Sequence, residues 1–238
     1  HLVYNESVYL IEGDSAALLI DAGTTIPGLK KIAESIVKKP VILAATHVHP
    51  DHTGSAIGDW DSIWICEPDT INIPSAMPQY QGKLLFLKEG QTFQLGNREI
   101  EVMLTPGHTP GSATFIDKQA RYGFSGDSFG SSNLLVTTTL SDVVQSCAKM
   151  AQCMESCQID KLYPGHYAGD NPETLQRVKD VAEISSGILS GKYSPETSIA
   201  QRAIEMAAAM IDTIHVYALP NVVEDRGVRI NYGQRQLR

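Results

Sequence analysis

Apolar and polar positions divide the chain into many strand-sized runs and a few helical stretches. SVYLIEGD (7–14) and AALLIDAG (16–23) each hold a strand's worth of apolar residues, and Asp14-Ser15 between them makes a turn, so a strand pair is predicted. Pro27 to Lys39 suits a helix, with Pro27 near the first turn, where a missing N–H removes no helical bond. VILAAT (41–46) is short, apolar and branched, which predicts a buried strand. Further strands are expected at 62–66, 83–87, 91–95, 98–105, 112–117, 122–126 and 161–164, with Gly96-Asn97 marking a hairpin. Residues 67–82 carry Pro68, Pro74 and Pro78 without periodicity and predict a loop.

Helical spacing returns at 141–157. Val143, Cys147, Met150, Met154 and Cys157 follow one another at intervals of 4, 3, 4 and 3, a single apolar stripe, with Ser141 as the expected N-cap. From Asn171 the character changes to two helices, about 173–190 and 195–212, and a strand pair near 214–219 and 227–232. Residues 1–170 therefore read as a layered α/β unit of interleaved strands and helices, and 171–238 as a C-terminal extension packed on it. Leu175, Val178, Ala182 and Leu189 supply the apolar stripe of that extension, and short apolar helices rarely stand alone. It is expected to wall one side of a site or to supply a homo-oligomer contact.

Composition narrows the function classes. The 238 residues are 42% hydrophobic and 19% charged, a globular balance, with a net charge of −8 and no Lys/Arg cluster. A nucleic-acid partner is not expected, because phosphate contacts need concentrated positive charge. No apolar run is long enough for a membrane helix, so no membrane partner is expected either. Cys66, Cys147, Cys153 and Cys157 lack the spacing of a secreted disulfide framework and read as reduced, which points to a cytoplasmic location. The chain starts at His1, so an N-terminal leader is compatible with it.

The chemistry is concentrated in THVHPDHTG (46–54), where His47, His49, Asp51 and His52 follow a buried strand. Alternate residues of such a loop can turn toward one point, and His52 toward a second. His108 stands in TPGHTPGS (105–112), Asp127 in GFSGDS (123–128) and His166 in YPGH (163–166), each after a predicted strand end and at gaps of 56, 19 and 39 from His52 onward. Five of the seven histidines and two carboxylates are thus placed where α/β folds build sites. Imidazole and carboxylate together suit zinc, and also iron or manganese. The isolated His215 and the terminal His1 read as structural and peripheral.

This His-x-His-x-Asp-His motif, followed by His, Asp and His at these gaps, resembles the metallo-β-lactamase-fold hydrolase superfamily over about residues 7–167. The resemblance implies a four-layer αββα sandwich: two mixed sheets face to face, helices outside, metals at one edge. It implies two divalent ions, zinc first. His47, His49 and His108 would hold one, Asp51, His52 and His166 the other, and Asp127 would bridge them. Asp21 in LLIDAG matches the family's acid behind the metal loop. Two ions carry +4, and Asp51, Asp127 and a bridging hydroxide supply −3, so a hydroxide nucleophile and an electron-rich substrate oxygen can be held together. Asp51 is the carboxylate placed to orient the water or handle its proton.

The implied activity is hydrolysis of an ester, thioester or lactone-type bond in a small molecule. Phosphodiester cleavage on the same site and a mononuclear iron oxygenase resembling the persulfide dioxygenases are the alternatives. β-Lactamases proper usually carry Cys or Ser at the position of Asp127. Glyoxalase II-like thioesterases and lactonases share the ligand set, yet the first show basic residues after the bridging Asp and a Tyr two places after the last His. The second show a Tyr where this chain has Gly130. Loop 67–82, Phe129 to Asn133 and Tyr167 are expected at the pocket mouth.

Overall fold

The computed structural model describes residues 5–131, 133–210 and 218–238, with residues 208–210 as backbone only. In the first half, β1 (Tyr9–Glu12) and β2 (Ala17–Ile20) form the predicted antiparallel pair. β3 (Val41–Ala44), β4 (Ser62–Ile65) and β5 (Lys83–Phe86) then add in parallel, giving a five-stranded sheet ordered β1-β2-β3-β4-β5. The second half contributes β6 (Thr92–Gln94), β7 (Glu99–Leu104), β8 (Ala113–Asp117) and β9 (Tyr122–Gly126), an antiparallel run. β10 (Asn133–Leu135) leaves this sheet, and β11 (Lys161–Pro164) closes it parallel to β9, in the order β11-β9-β8-β7-β6.

Alternation along the strands builds the layers. Leu18 and Ile20 of β2 point between the sheets, where they meet Phe93, Ile100, Val102, Phe115 and Phe124. Leu19 between them points outward and packs with Leu43, Ile63 and Ile65 beneath Leu29 and Ala33 of the helix Leu29–Val37. The outer face of the second sheet is covered by the helices Leu140–Ser156 and Leu175–Leu189, through Val143, Cys147, Met150, Val178, Val181 and Ile184. Helix, sheet, sheet and helix make the expected αββα sandwich.

Several local expectations change. The 67–82 segment is not an irregular loop: Glu67–Asn72 is a 3₁₀ turn and Ile73–Ala76 a turn of α-helix, each with a proline in its first two positions, where the ring is tolerated. The long helix starts at Leu140, and its N-cap is Thr139 rather than Ser141. Thr139 Oγ1 accepts from the Asp142 amide at 3.0 Å, and Asp142 Oδ2 accepts from the Thr139 amide at 3.1 Å, a reciprocal capping box. The predicted stripe is buried at Val143, Cys147, Met150 and Met154, while Cys157 is half-buried and Cys153 joins the core. All four cysteines are free.

The chain end forms a third sheet that the sequence pattern did not predict. β12 (Glu196–Thr197), β13 (Asn221–Asp225) and β14 (Val228–Tyr232) join β10 in the order β10-β14-β13-β12. β14 takes the place of the strand expected at 227–232; residues 214–217 of the strand expected at 214–219, and His215, lie outside the described residues, as does His1. Phe129, expected at the pocket mouth, is fully buried in the core with Leu134, Val143 and Ile230. An aromatic ring without a polar atom gains more there than in water. No helix among the described residues is long and apolar enough to cross a membrane.

Candidate metal centre

Parallel pairing sends the C-terminal ends of β2, β3 and β4 to one edge of the sandwich, and the ends of β9 and β11 meet them there. His47 and His49 follow β3, with Asp51 and His52 on the helical turn Pro50–Thr53. His108 lies in the loop between β7 and β8, Asp127 one residue past β9, and His166 two past β11. All seven predicted residues come together. His47, His49 and His108 form one cluster, Asp51, His52 and His166 another, and a third grouping of His47, His52 and Asp127 overlaps both.

The nitrogens converge. His49 Nδ1 lies 3.1 Å from His47 Nε2 and 3.1 Å from His108 Nε2. Three nitrogens held at ~2.0–2.1 Å by one tetrahedral zinc ion would stand about 3.3–3.4 Å apart, close to this spacing. The opposite ring nitrogens are tied back. His108 Nδ1–H donates to the Leu135 carbonyl at 2.8 Å, His166 Nδ1–H to the Asn5 carbonyl at 3.1 Å, and His52 Nδ1–H to Asp21 Oδ2 at 2.8 Å. Each of these bonds leaves an Nε2 lone pair aimed inward. Between the clusters lies Asp127: Oδ2 is 3.7 Å from His108 Nε2 and 3.3 Å from His166 Nε2, and Oδ1 is 3.8 Å from His52 Nε2.

Two observations test whether a cation fits. His52 Nε2 and Asp127 Oδ1 are buried with no hydrogen-bond partner, a costly state that a shared ion relieves. The titration behaviour agrees. Burial and the neighbouring histidines hold His47 well below an ordinary histidine and His49 at about 4, so both present neutral lone pairs at pH 7. Burial opposes charge on His52 too, but Asp21, Asp127 and Asp51 raise it to about 10. The Asp127 carboxyl is buried, which favours its proton, yet the hydrogen bond to His166 and the positive ends of His52 and His108 bring it below the usual range. Without an ion, this pocket draws in a proton; the donor set is that of a divalent metal.

The local chain makes the approach close. A Cβ on Gly165 of YPGH would sit 2.6 Å from both Asp127 Oδ1 and His52 Cε1, so only glycine lets β11 deliver His166 there. Asp21, at φ 65°, accepts from the Thr46 amide at 2.7 Å and the Thr46 hydroxyl at 2.9 Å as well as from His52, and so fixes the start of the metal loop. Tyr167 stacks edge-on against Tyr163, with its hydroxyl donating to the Gly169 carbonyl.

A model of the metallo-beta-lactamase superfamily matches residues 2–166. The chain belongs to that superfamily. The human acyl-coenzyme A thioesterase MBLAC2 is 26% identical over 215 residues, covering 72% of this chain and 76% of its own. The human mitochondrial persulfide dioxygenase ETHE1 is 27% identical over 139 residues, covering 58% and 51%. Among solved structures, the metallo-beta-lactamase family protein TTHA1429 from Thermus thermophilus superimposes with a TM-score of 0.58 at 18% identity, covering 86% of this chain and 82% of its own. By class, this member of the superfamily is a metal-dependent hydrolase.

Two carboxylates of this edge escaped the sequence reading. Asp69, four residues past the end of β4, is fully buried beside the metal loop; burial pushes its carboxyl up, against donors on Val48, Thr109 and Gly111. It lies inside the 3₁₀ turn Glu67–Asn72 rather than directly after a strand, so it lacks the signal that flagged the others. Glu173 is buried under the loop after Asp127. It accepts from the Ser131 amide at 2.8 Å and lies 3.6 Å from Arg177 Nε.

Burial raises the Glu173 carboxyl from 4.5 to about 7, with Arg177 opposing. The folded state therefore binds more protons than the unfolded one between those pH values. The stability Glu173 contributes is full below about pH 4.5 and is lost as pH rises through 7, a fall on the order of 3 kcal/mol. Urea unfolding of the wild type and Glu173→Gln at pH 5 and pH 8 checks this. The wild type should lose the larger share of its stability at pH 8, and equal losses would contradict the assignment.

Proposed function

We propose that this chain is a dinuclear metal hydrolase of small-molecule thioesters. The observation that carries the dinuclear reading is Asp127, one carboxylate facing ligand nitrogens of both clusters. The thioester reading is supported by the acyl-coenzyme A thioesterase relative, which spans most of the chain. The four free cysteines support a cytoplasmic setting.

His47 Nε2, His49 Nδ1 and His108 Nε2 would hold one ion, and Asp51, His52 Nε2 and His166 Nε2 the other, with Asp127 shared. Zinc suits these donors first, iron or manganese next. Bound there, such ions supply Lewis acidity and a water acidic enough to attack at neutral pH. Asp51 does the proton work: its Oδ2 lies 3.5 Å from His166 Nε2 and 3.7 Å from His52 Nε2, and the side chain is 31% exposed, so it reaches both the cluster and the cleft. There it orients the attacking water and accepts its proton. Asp21 keeps the His52 proton on Nδ1, so Nε2 stays free to bind. The partner in this reading is a small-molecule substrate.

Elemental analysis of the purified protein, paired with initial rates on acyl-CoA thioesters, lactones, phosphodiesters and glutathione persulfide, tests the proposal. Two equivalents of metal and a thioesterase rate at least tenfold above any other substrate are expected. One equivalent of iron with oxygen uptake would replace the hydrolase by an oxygenase, and a dominant phosphodiesterase rate would overturn the substrate class.

A further inference from the structure

The three-histidine cluster is assembled from two loops far apart in the chain, and a single side chain touches the backbone of both. Val48, between His47 and His49, donates its amide to Asp69 Oδ2 at 2.8 Å. Thr109, next to His108, donates its hydroxyl to the same oxygen at 2.9 Å, and the Gly111 amide donates to Oδ1 at 2.6 Å. The fit is tight enough that a Cβ on Gly111 would lie 2.6 Å from Asp69 Cγ. Lower down, the loops are joined by the Ala113 amide on the Thr46 carbonyl at 2.8 Å, which fixes their bases but not their tips.

Asp69 is also an anion in an expensive place. It is 0% exposed, and no lysine or arginine pairs with it among the described residues. A buried carboxylate without a cation is costly unless its oxygens are satisfied and positive charge lies near. Three donors meet the first need. A dication held by His47, His49 and His108 would meet the second. An asparagine of the same shape would match the geometry less well: its amide nitrogen must face an N–H or O–H donor on one side, leaving at least one of the three bonds unmade.

We infer that Asp69 is the positioning residue of the three-histidine cluster: its carboxylate pins the tip of the His47–His49 loop to the His108 loop at the spacing one metal ion requires. The inference rests on reading those histidines as metal ligands. It predicts an effect confined to that ion. Groups that orient ligands from behind typically change metal affinity by 10–100-fold. His52 and His166 are oriented by Asp21 and Asn5 instead, so the second ion should feel Asp69 little.

The test is zinc titration of metal-free protein against a chromophoric chelator, with cobalt(II) absorption to report the nitrogen-rich site. Wild type, Asp69→Asn, Thr109→Val and His47→Ala are compared, with Asp160→Asn as a surface control, all at a temperature where unfolding curves show each variant folded. Asp69→Asn should bind the first ion at least tenfold more weakly with a changed cobalt spectrum. Thr109→Val, which removes one of the three bonds, should fall between it and the wild type, and the second ion should change less than threefold. Wild-type affinity for the first ion in folded Asp69→Asn, or equal weakening of both ions, overturns the inference. If His47→Ala also binds the first ion like the wild type, the ligand assignment itself is wrong and takes Asp69's role with it.

Discussion

Asp127→Asn should bind one equivalent of metal where the wild type binds two, and its hydrolytic rate should drop by at least about a hundredfold. Two divalent ions at the roughly 3.5–4 Å separation of two-metal sites repel by on the order of 16 kcal/mol at an effective dielectric of 20. An anion between them offsets this, and Asp127 is the side chain whose oxygens face nitrogens of both clusters. Asparagine keeps the size and one oxygen but removes the charge, and it turns an N–H toward one cluster. The three histidines remain a sufficient set for one zinc ion with a water. His47→Ala should act in the opposite order and weaken that first ion directly. Elemental analysis after dialysis, with rates on the same samples, decides the matter. Two equivalents retained in Asp127→Asn at an intact rate would show that the carboxylate is not shared and that the two clusters are independent.

What the chain revealed before its structure follows from range. The ligand residues were legible because each sits just past a strand that its own apolar run announces: VILA before His47, YGFSG before Asp127, KLYP before His166. Asp21 was legible for the same reason. Asp69 was not, because its partners Val48 and Thr109 stand 21 and 40 residues away and nothing in EPDT says which loops it will meet. Thr139 and Ser141 are both good caps two positions apart; the choice falls to Thr139 because Leu140 and Val143 must both face the core. β10 has three residues and pairs in parallel with β14, across Asn133 and Arg229, a contact no local pattern encodes. Phe129 follows Asp127 closely, so its place in the chain suggested the cleft; its apolar ring sends it to the core instead.

Removing residues 171–238 should leave no folded protein, and so no metal-binding protein, even though every proposed ligand precedes the cut. The core shared with the second sheet takes Val178, Val181, Ile184, Ile188, Val223, Val228, Ile230 and Tyr232 from beyond residue 170. Burying each such side chain stabilises by about 1.5–3 kcal/mol, so the eight together contribute roughly 12–24 kcal/mol. That equals or exceeds the ~5–15 kcal/mol that separates folded from unfolded states in typical proteins. The cut would also expose Phe129, Val143 and Met150, strip β14 from β10, and withdraw Glu173 from the Ser131 amide in the loop that follows Asp127. The helix Ile199–Met210 supplies the contrast within the same stretch. Ile199 is 86% and Met206 59% exposed, so Ile199→Ser should shift stability by no more than ~0.5 kcal/mol. Soluble yield, circular dichroism and zinc content of the two proteins settle the comparison: the truncated chain should be insoluble or unfolded and metal-free, and the point variant indistinguishable from the wild type. A truncated chain that stays soluble with its full complement of metal would mean that residues 1–170 close their own core and that the helix Leu175–Leu189 is dispensable packing.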